Sequence, residues 1–78
     1  MNTVVLKNKN GSPLFENRFH SIKQCLEAAV AQGIVLDGIA LLHANLTGAN
    51  LDCARMAGAD LSGANLTGAN LSESRLDG

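Results

Sequence analysis

From Ile34 to Gly78 the chain repeats every five residues. Large apolar centres at Leu36, Leu41, Leu46, Leu51, Met56, Leu61, Leu66, Leu71 and Leu76 keep one register throughout. Two residues ahead of them stand Ile34, Ile39, Ala44, Ala49, Ala54, Ala59, Ala64, Ala69 and Ser74. The residue just before the centre is Asn or Asp in five of the nine units, and Gly is usual two residues after it. A fixed period of this kind decides the architecture ahead of any local propensity.

Five suits neither common element. An amphipathic helix places apolar residues three and four apart, and a strand alternates them. At about 100° per residue, each unit would rotate a helix by about 140° net and spray the leucines round the cylinder. Each interior glycine would also cost a helix up to about 1 kcal/mol. The pattern fits a chain that bends once per unit. The centre and the residue two before it point inward, with an outward Asn or Asp between them, as in a very short strand. The other two residues turn the corner, where Gly accepts a positive φ at no steric cost. Repeated bends wind the chain into a coil whose successive turns pair through the backbone, about 4.8 Å apart.

Ala44-Asn45-Leu46-Thr47-Gly48, its copy at 64–68, and Ala59-Asp60-Leu61-Ser62-Gly63 resemble the pentapeptide repeat family. The resemblance covers 34–78. It implies a mainly β fold, a right-handed quadrilateral β-helix with four units per coil. Val35 and Ala40 stand where the polar residue is usual, and Glu73 and Ser74 replace Gly and Ala, as terminal repeats often do. His43 and Cys53 also replace corner glycines. Positions one coil apart should stack, which sets Asn45 on Asn65, Asn50 on Asn70 and Arg55 on Arg75. Asn ladders would then support the coil, and Asp37 and Asp77 would neutralise the arginine stack.

A solenoid end exposes unpaired backbone and an open core, so it needs a cover. Residues 1–33 read as that cap, forming one folded unit with the β-helix of 34–78. Thr3–Lys7 reads as a strand, Asn8–Pro13 as a turn around Asn10-Gly11, and Leu14–Glu16 as a returning strand. Asn17–His20 is ambiguous. Ser21 and Gln24 form a capping-box pattern for a helix at about 22–32, which Gly33 stops. Ile22, Cys25, Leu26, Ala29 and Val30 share one face of it. Ile34, Ile39 and Leu42 are bulky and are expected to meet that face. The layout resembles small phage and prophage repeat proteins.

Seventy-eight residues make one small domain. No apolar run is long enough to span a membrane, and Val4–Leu6 is too short for a signal peptide. Cys25 and Cys53 lack metal or redox spacing. A reduced, cytoplasmic setting is expected, with Cys25 as a core thiol. His20 and His43 have no companion ligands at metal spacing. No nucleophile motif frames the serines, and the glycines never form a phosphate loop. Neither an enzyme nor a cofactor is expected. Residues 1–32 carry a net +2 and residues 33–78 a net −3, so the coil is modestly acidic. Phe15 and Phe19 are the two aromatic residues. They make no stacking platform for bases, and an acidic coil disfavours direct DNA contact.

The resemblance implies a non-enzymatic protein-binding module. Some pentapeptide repeat proteins present an acidic rod shaped like a DNA duplex and occupy the nucleic-acid site of DNA gyrase or another DNA-handling complex. Small phage-borne relatives could act in this way on a CRISPR effector. Asp37, Asp52, Asp60, Glu73 and Asp77 are the candidate partner-binding residues here. A duplex carries one charge per about 1.7 Å of axis, so these carboxylates could mimic a short stretch at best. A homodimer through the C-terminal end, at Leu71 and Leu76, would lengthen it by a two-fold contact. The alternative is a structural or adaptor module without inhibitory activity.

Overall fold

The computed structural model describes residues 2–75. It begins with strands β1 (Asn2–Lys7) and β2 (Pro13–Phe19) and helix α1 (Ile22–Ala31), and continues as a coil built from single-residue bridges. The two strands pair antiparallel, with Leu6 opposite Phe15, and the register slips between Leu6 and Lys7. Of the ambiguous stretch, Asn17, Arg18 and Phe19 belong to β2, where Asn17 and Arg18 oppose Val4 and Thr3, and His20 follows the strand. The turn is held by Asn8, whose Oδ1 accepts from the amides of Asn10 and Ser12 at 2.9 Å each.

Ser21 is extended and its Oγ accepts from the Gln24 amide at 3.3 Å, which starts α1. Gln24 reaches back to the His20 amide at 3.0 Å, one residue earlier than a full capping box requires. The helix stops at Ala31 with Gln32 as its C-cap. Gly33 follows at φ 71°. The amides of Gly33 and Ile34 then donate back to Val30 and Ala29, a Schellman ending.

Each unit of the coil closes a four-residue turn. The Ala49 amide donates to the Leu46 carbonyl at 3.0 Å, and the Ala64 amide to Leu61 at 2.9 Å. The second central residue of each turn has a positive φ and the first does not, the type II arrangement. His43, Cys53 and Glu73 hold it at φ 59°, 64° and 55°. The three replacements of corner glycine therefore keep the corner, each against a left-handed penalty of roughly 1–2 kcal/mol.

Successive coils pair in parallel at a stagger of twenty residues: Val35 with Arg55, Ala40 with Asp60, Asn45 with Asn65, Asn50 with Asn70, Arg55 with Arg75. At one such wall the Leu46 amide donates to Asn65 and the Asn65 amide to Ala44, both at 2.9 Å. The Gly48 amide adds a bond to the Thr67 carbonyl at 2.8 Å. The amide of Thr47 is left over. Asn45 takes it, its Oδ1 accepting from the Thr47 amide at 3.2 Å and from Thr47 Oγ1 at 2.8 Å. Asp60, Asn65 and Asn70 do the same for Ser62, Thr67 and Ser72. The expected Asn ladders between coils are therefore corrected. Each Asn serves its own unit, because the backbone ladder leaves one amide per corner without a partner.

Cap and coil share one core. Leu6, Cys25, Leu26 and Ala29 are buried with Leu36, Ile39, Leu41, Leu46, Leu51 and Met56. The hairpin also continues the backbone ladder onto the first coil. The Lys9 amide donates to Gly38 at 2.9 Å and the Ala40 amide to Lys7 at 2.8 Å. Ile39 is buried and Ile34 packs against the core, but Leu42 is 51% exposed. Its expected contact with the cap is corrected: it takes the first central position of a turn, outside the inward pair. One coil later, Leu61, Leu66 and Leu71 are only half-buried. Among the described residues no helix is long and apolar enough to cross a membrane.

Candidate interaction site

Asp77 and Leu76 lie outside the described residues. The other four candidate carboxylates differ in what they already hold. Asp60 accepts from the Ser62 hydroxyl at 2.7 Å and the Ser62 amide at 3.1 Å. Those two bonds, the hydroxyl first, hold its carboxyl below the ordinary value of 3.8, with smaller help from Lys9 and His43 against partial burial. An NMR titration of the Asp60 carboxyl should therefore have its midpoint below 3.8. The depressed value adds stability that is fully present above the unfolded pKa. It is lost as pH falls through the folded one.

Asp37 is exposed, and its Oδ1 accepts from the Ala57 amide, one coil on, at 3.1 Å. Arg55 stands where other units carry Asn or Asp, so the left-over amide of Ala57 finds its acceptor in the coil above. Asp37 lines one depression with Arg55 and Arg75, the stack it was expected to neutralise together with Asp77, which lies outside the described residues.

Asp52 and Glu73 remain, and the coil brings them together. Cys53 and Glu73 occupy the same corner in successive coils. Cys53 Sγ lies 3.5 Å from Asp52 Oδ1 and 3.7 Å from Glu73 Oε2. One ligand atom from each of the three falls within 4.8 Å of the others, all exposed. Nothing beyond proximity marks these donors as a metal centre. The thiol's hydrogen bond to Asp52 raises the Cys53 pKa most, with smaller pushes from desolvation and from both carboxylate charges. Less thiolate means a slower nucleophile. Cys53 should react with a disulfide reagent more slowly than an ordinary exposed cysteine, and the double change Asp52→Asn, Glu73→Gln should accelerate it at pH 8. Cys25, buried in the core with its pKa raised by desolvation, should react only on unfolding.

The stacking of position 53 on 73 is legible once the family resemblance supplies a coil of twenty residues. The part played by Glu27 is not. Its Oε2 accepts from the Asn50 amide at 2.8 Å, closing a donor that has no preceding coil above it. Glu27, Ala28, Val30 and Ala31 of α1 then line a concavity of about 470 Å³ with Asn50 and Asp52. Among the described residues, an acidic rim thus runs from α1 through Asp52 to Glu73.

A family model of pentapeptide repeats matches residues 41–78, in eight copies. This is a pentapeptide repeat protein. Residues 34–40 lie outside the match, yet Leu36 and Ile39 close the same turn and Val35 pairs with Arg55. No curated protein and no solved structure matches the chain significantly. The pentapeptide repeats make the fold β-helix-like and mark a protein-interaction or structural repeat module.

Proposed function

We propose that this pentapeptide repeat protein binds a protein partner without catalysing a reaction, through the exposed corner of Asp52 and Glu73. The partner is a nucleic-acid-handling complex of the DNA gyrase or CRISPR effector class, and the protein inhibits it by partial DNA mimicry. The coil is the right-handed quadrilateral β-helix of its family. One observation carries the functional reading. Among the described coil carboxylates, Asp52 and Glu73 accept no backbone hydrogen bond, and they sit one coil apart on one exposed corner. At a rise of about 4.8 Å per coil, against one charge per about 1.7 Å of duplex, the mimicry is local.

A second copy stacked on the half-buried Leu61, Leu66 and Leu71 would extend the acidic surface. The amides of those leucines have no partner among the described residues. Light scattering at high micromolar concentration should report a dimer, and a strict monomer would remove this element.

Supercoiling by gyrase and target-DNA binding by a CRISPR effector complex are the assays. Inhibition of either should disappear with Asp52→Asn plus Glu73→Gln. It should survive Asp37→Asn plus Asp60→Asn, which keep the oxygens that serve the corners. The same loss in both pairs would reject the corner as the binding site. The absence of inhibition would favour the adaptor reading, which the structural use of Asp37 and Asp60 supports.

A further inference from the structure

We infer that the wall carrying Arg55 and Arg75 is a binding site for a phosphate monoester. This wall is separate from the acidic corner, and the inference goes beyond the proposed function. Val35, Arg55 and Arg75 are successive bridge partners, so the two arginines leave the ladder one coil apart, about 4.8 Å at the backbone. Like charges set opposite each other in a ladder oppose folding. Among the described residues the single carboxylate lining this depression is that of Asp37, which accepts from the Ala57 amide at 3.1 Å and offsets at most one of the two charges. The wall is concave. Val35, Asp37, Arg55, Ala57 and Arg75 line a depression of about 430 Å³. The small side chain of Ala57 leaves room beside the arginines, and Val35 is 50% exposed.

Ligand chemistry follows from donor geometry. A guanidinium is a planar fork that grips two oxygens at once, and its charge is permanent. A carboxylate offers two oxygens and one charge, enough for one fork. A phosphate monoester offers three terminal oxygens and nearly two charges, enough for both. The exposed Val35 gives the carbon side of the ester an apolar surface to lie on. The carboxylate of Asp37 at the edge opposes any anion and sets the balance of the site. One group satisfies both forks whether it comes as a free phosphate compound or on a phosphorylated side chain of a partner.

The test follows the Nε–Hε signals of Arg55 and Arg75 in the labelled full chain. The probes are inorganic phosphate, a nucleoside 5′-monophosphate, a phosphoserine peptide, and acetate. Both arginines should shift together and saturably with at least one of the phosphate probes, and acetate should bind at least about tenfold more weakly. Arg55→Gln and Arg75→Gln should each weaken binding about tenfold, and Asp37→Asn should strengthen it. Both arginines are exposed, so the variants should keep the wild-type amide spectrum. The best-bound ester identifies the source. Saturation by the peptide alone points to a phosphorylated partner, and saturation by the small compounds as well to a free ligand. Shifts that never saturate, an equal response to acetate, or unchanged binding in the arginine variants would overturn the site.

Discussion

Leu46→Ala should lower the unfolding free energy by about 2–5 kcal/mol. Leu66→Ala, the same position one coil later, should cost distinctly less. Leu46 is fully buried, with the coil continuing beyond it and the cap closing the core. Truncation there leaves a cavity that its neighbours cannot fill. Leu66 is only half-buried, so part of its apolar surface already meets solvent and less is lost. A chain of this size has a total stability of roughly 4–12 kcal/mol, so the first change threatens the fold and the second does not. Urea unfolding followed by circular dichroism gives both values, provided the slope with denaturant stays constant. Equal costs would contradict the gradient of burial along the coil.

The corners should give a pair of opposite effects. Gly63 sits at φ 69°, and a Cβ built on it would collide with the ring of His43, one coil above at the same corner. Gly63→Ala therefore carries a left-handed penalty of roughly 1–2 kcal/mol and must also displace the imidazole. His43 itself stands at φ 59°. His43→Gly releases that strain and should stabilise the fold by up to about 1 kcal/mol, reduced by the greater freedom of glycine in the unfolded chain. Gly38→Ala supplies the control, since nothing lies within 4 Å of its added Cβ and only the φ penalty applies. Adding His43→Gly should recover more stability in the Gly63→Ala background than in the native one, because it also removes the collision. Residues in contact couple by about 0.5–3 kcal/mol, so the cycle is measurable by thermal unfolding. A strictly additive double variant would show that the two corners do not touch.

The candidate site was legible in part. The four-unit coil that the family resemblance implies places Cys53 over Glu73 and Arg55 over Arg75. It does not separate Asp37 from Asp52, which both follow a centre in the repeat, although one serves the backbone and the other is left free. The difference lies in which amides the inter-coil ladder leaves over. Asp60 meets the one in its own unit, and Asp37 meets the one that Arg55 cannot serve. Glu27 carries no periodic mark, because its role depends on where α1 lies over the coil.

By itself the sequence determined the bend in every unit and the inward line of leucine and alanine; the twenty-residue stagger came from the family resemblance, and the bridges between coils carry it. A repeated chain presents the same steric and solvation problem at each step and so reaches the same local answer. Even His43, Cys53 and Glu73 take the corner that their neighbours impose. Tertiary structure alone decided the partners of the polar side chains, the outward placement of Leu42 and the junction of Lys7 and Lys9 with Gly38 and Ala40. Those depend on single long-range contacts between unlike segments, where hydrogen bonds go to whatever donors the main ladder does not consume.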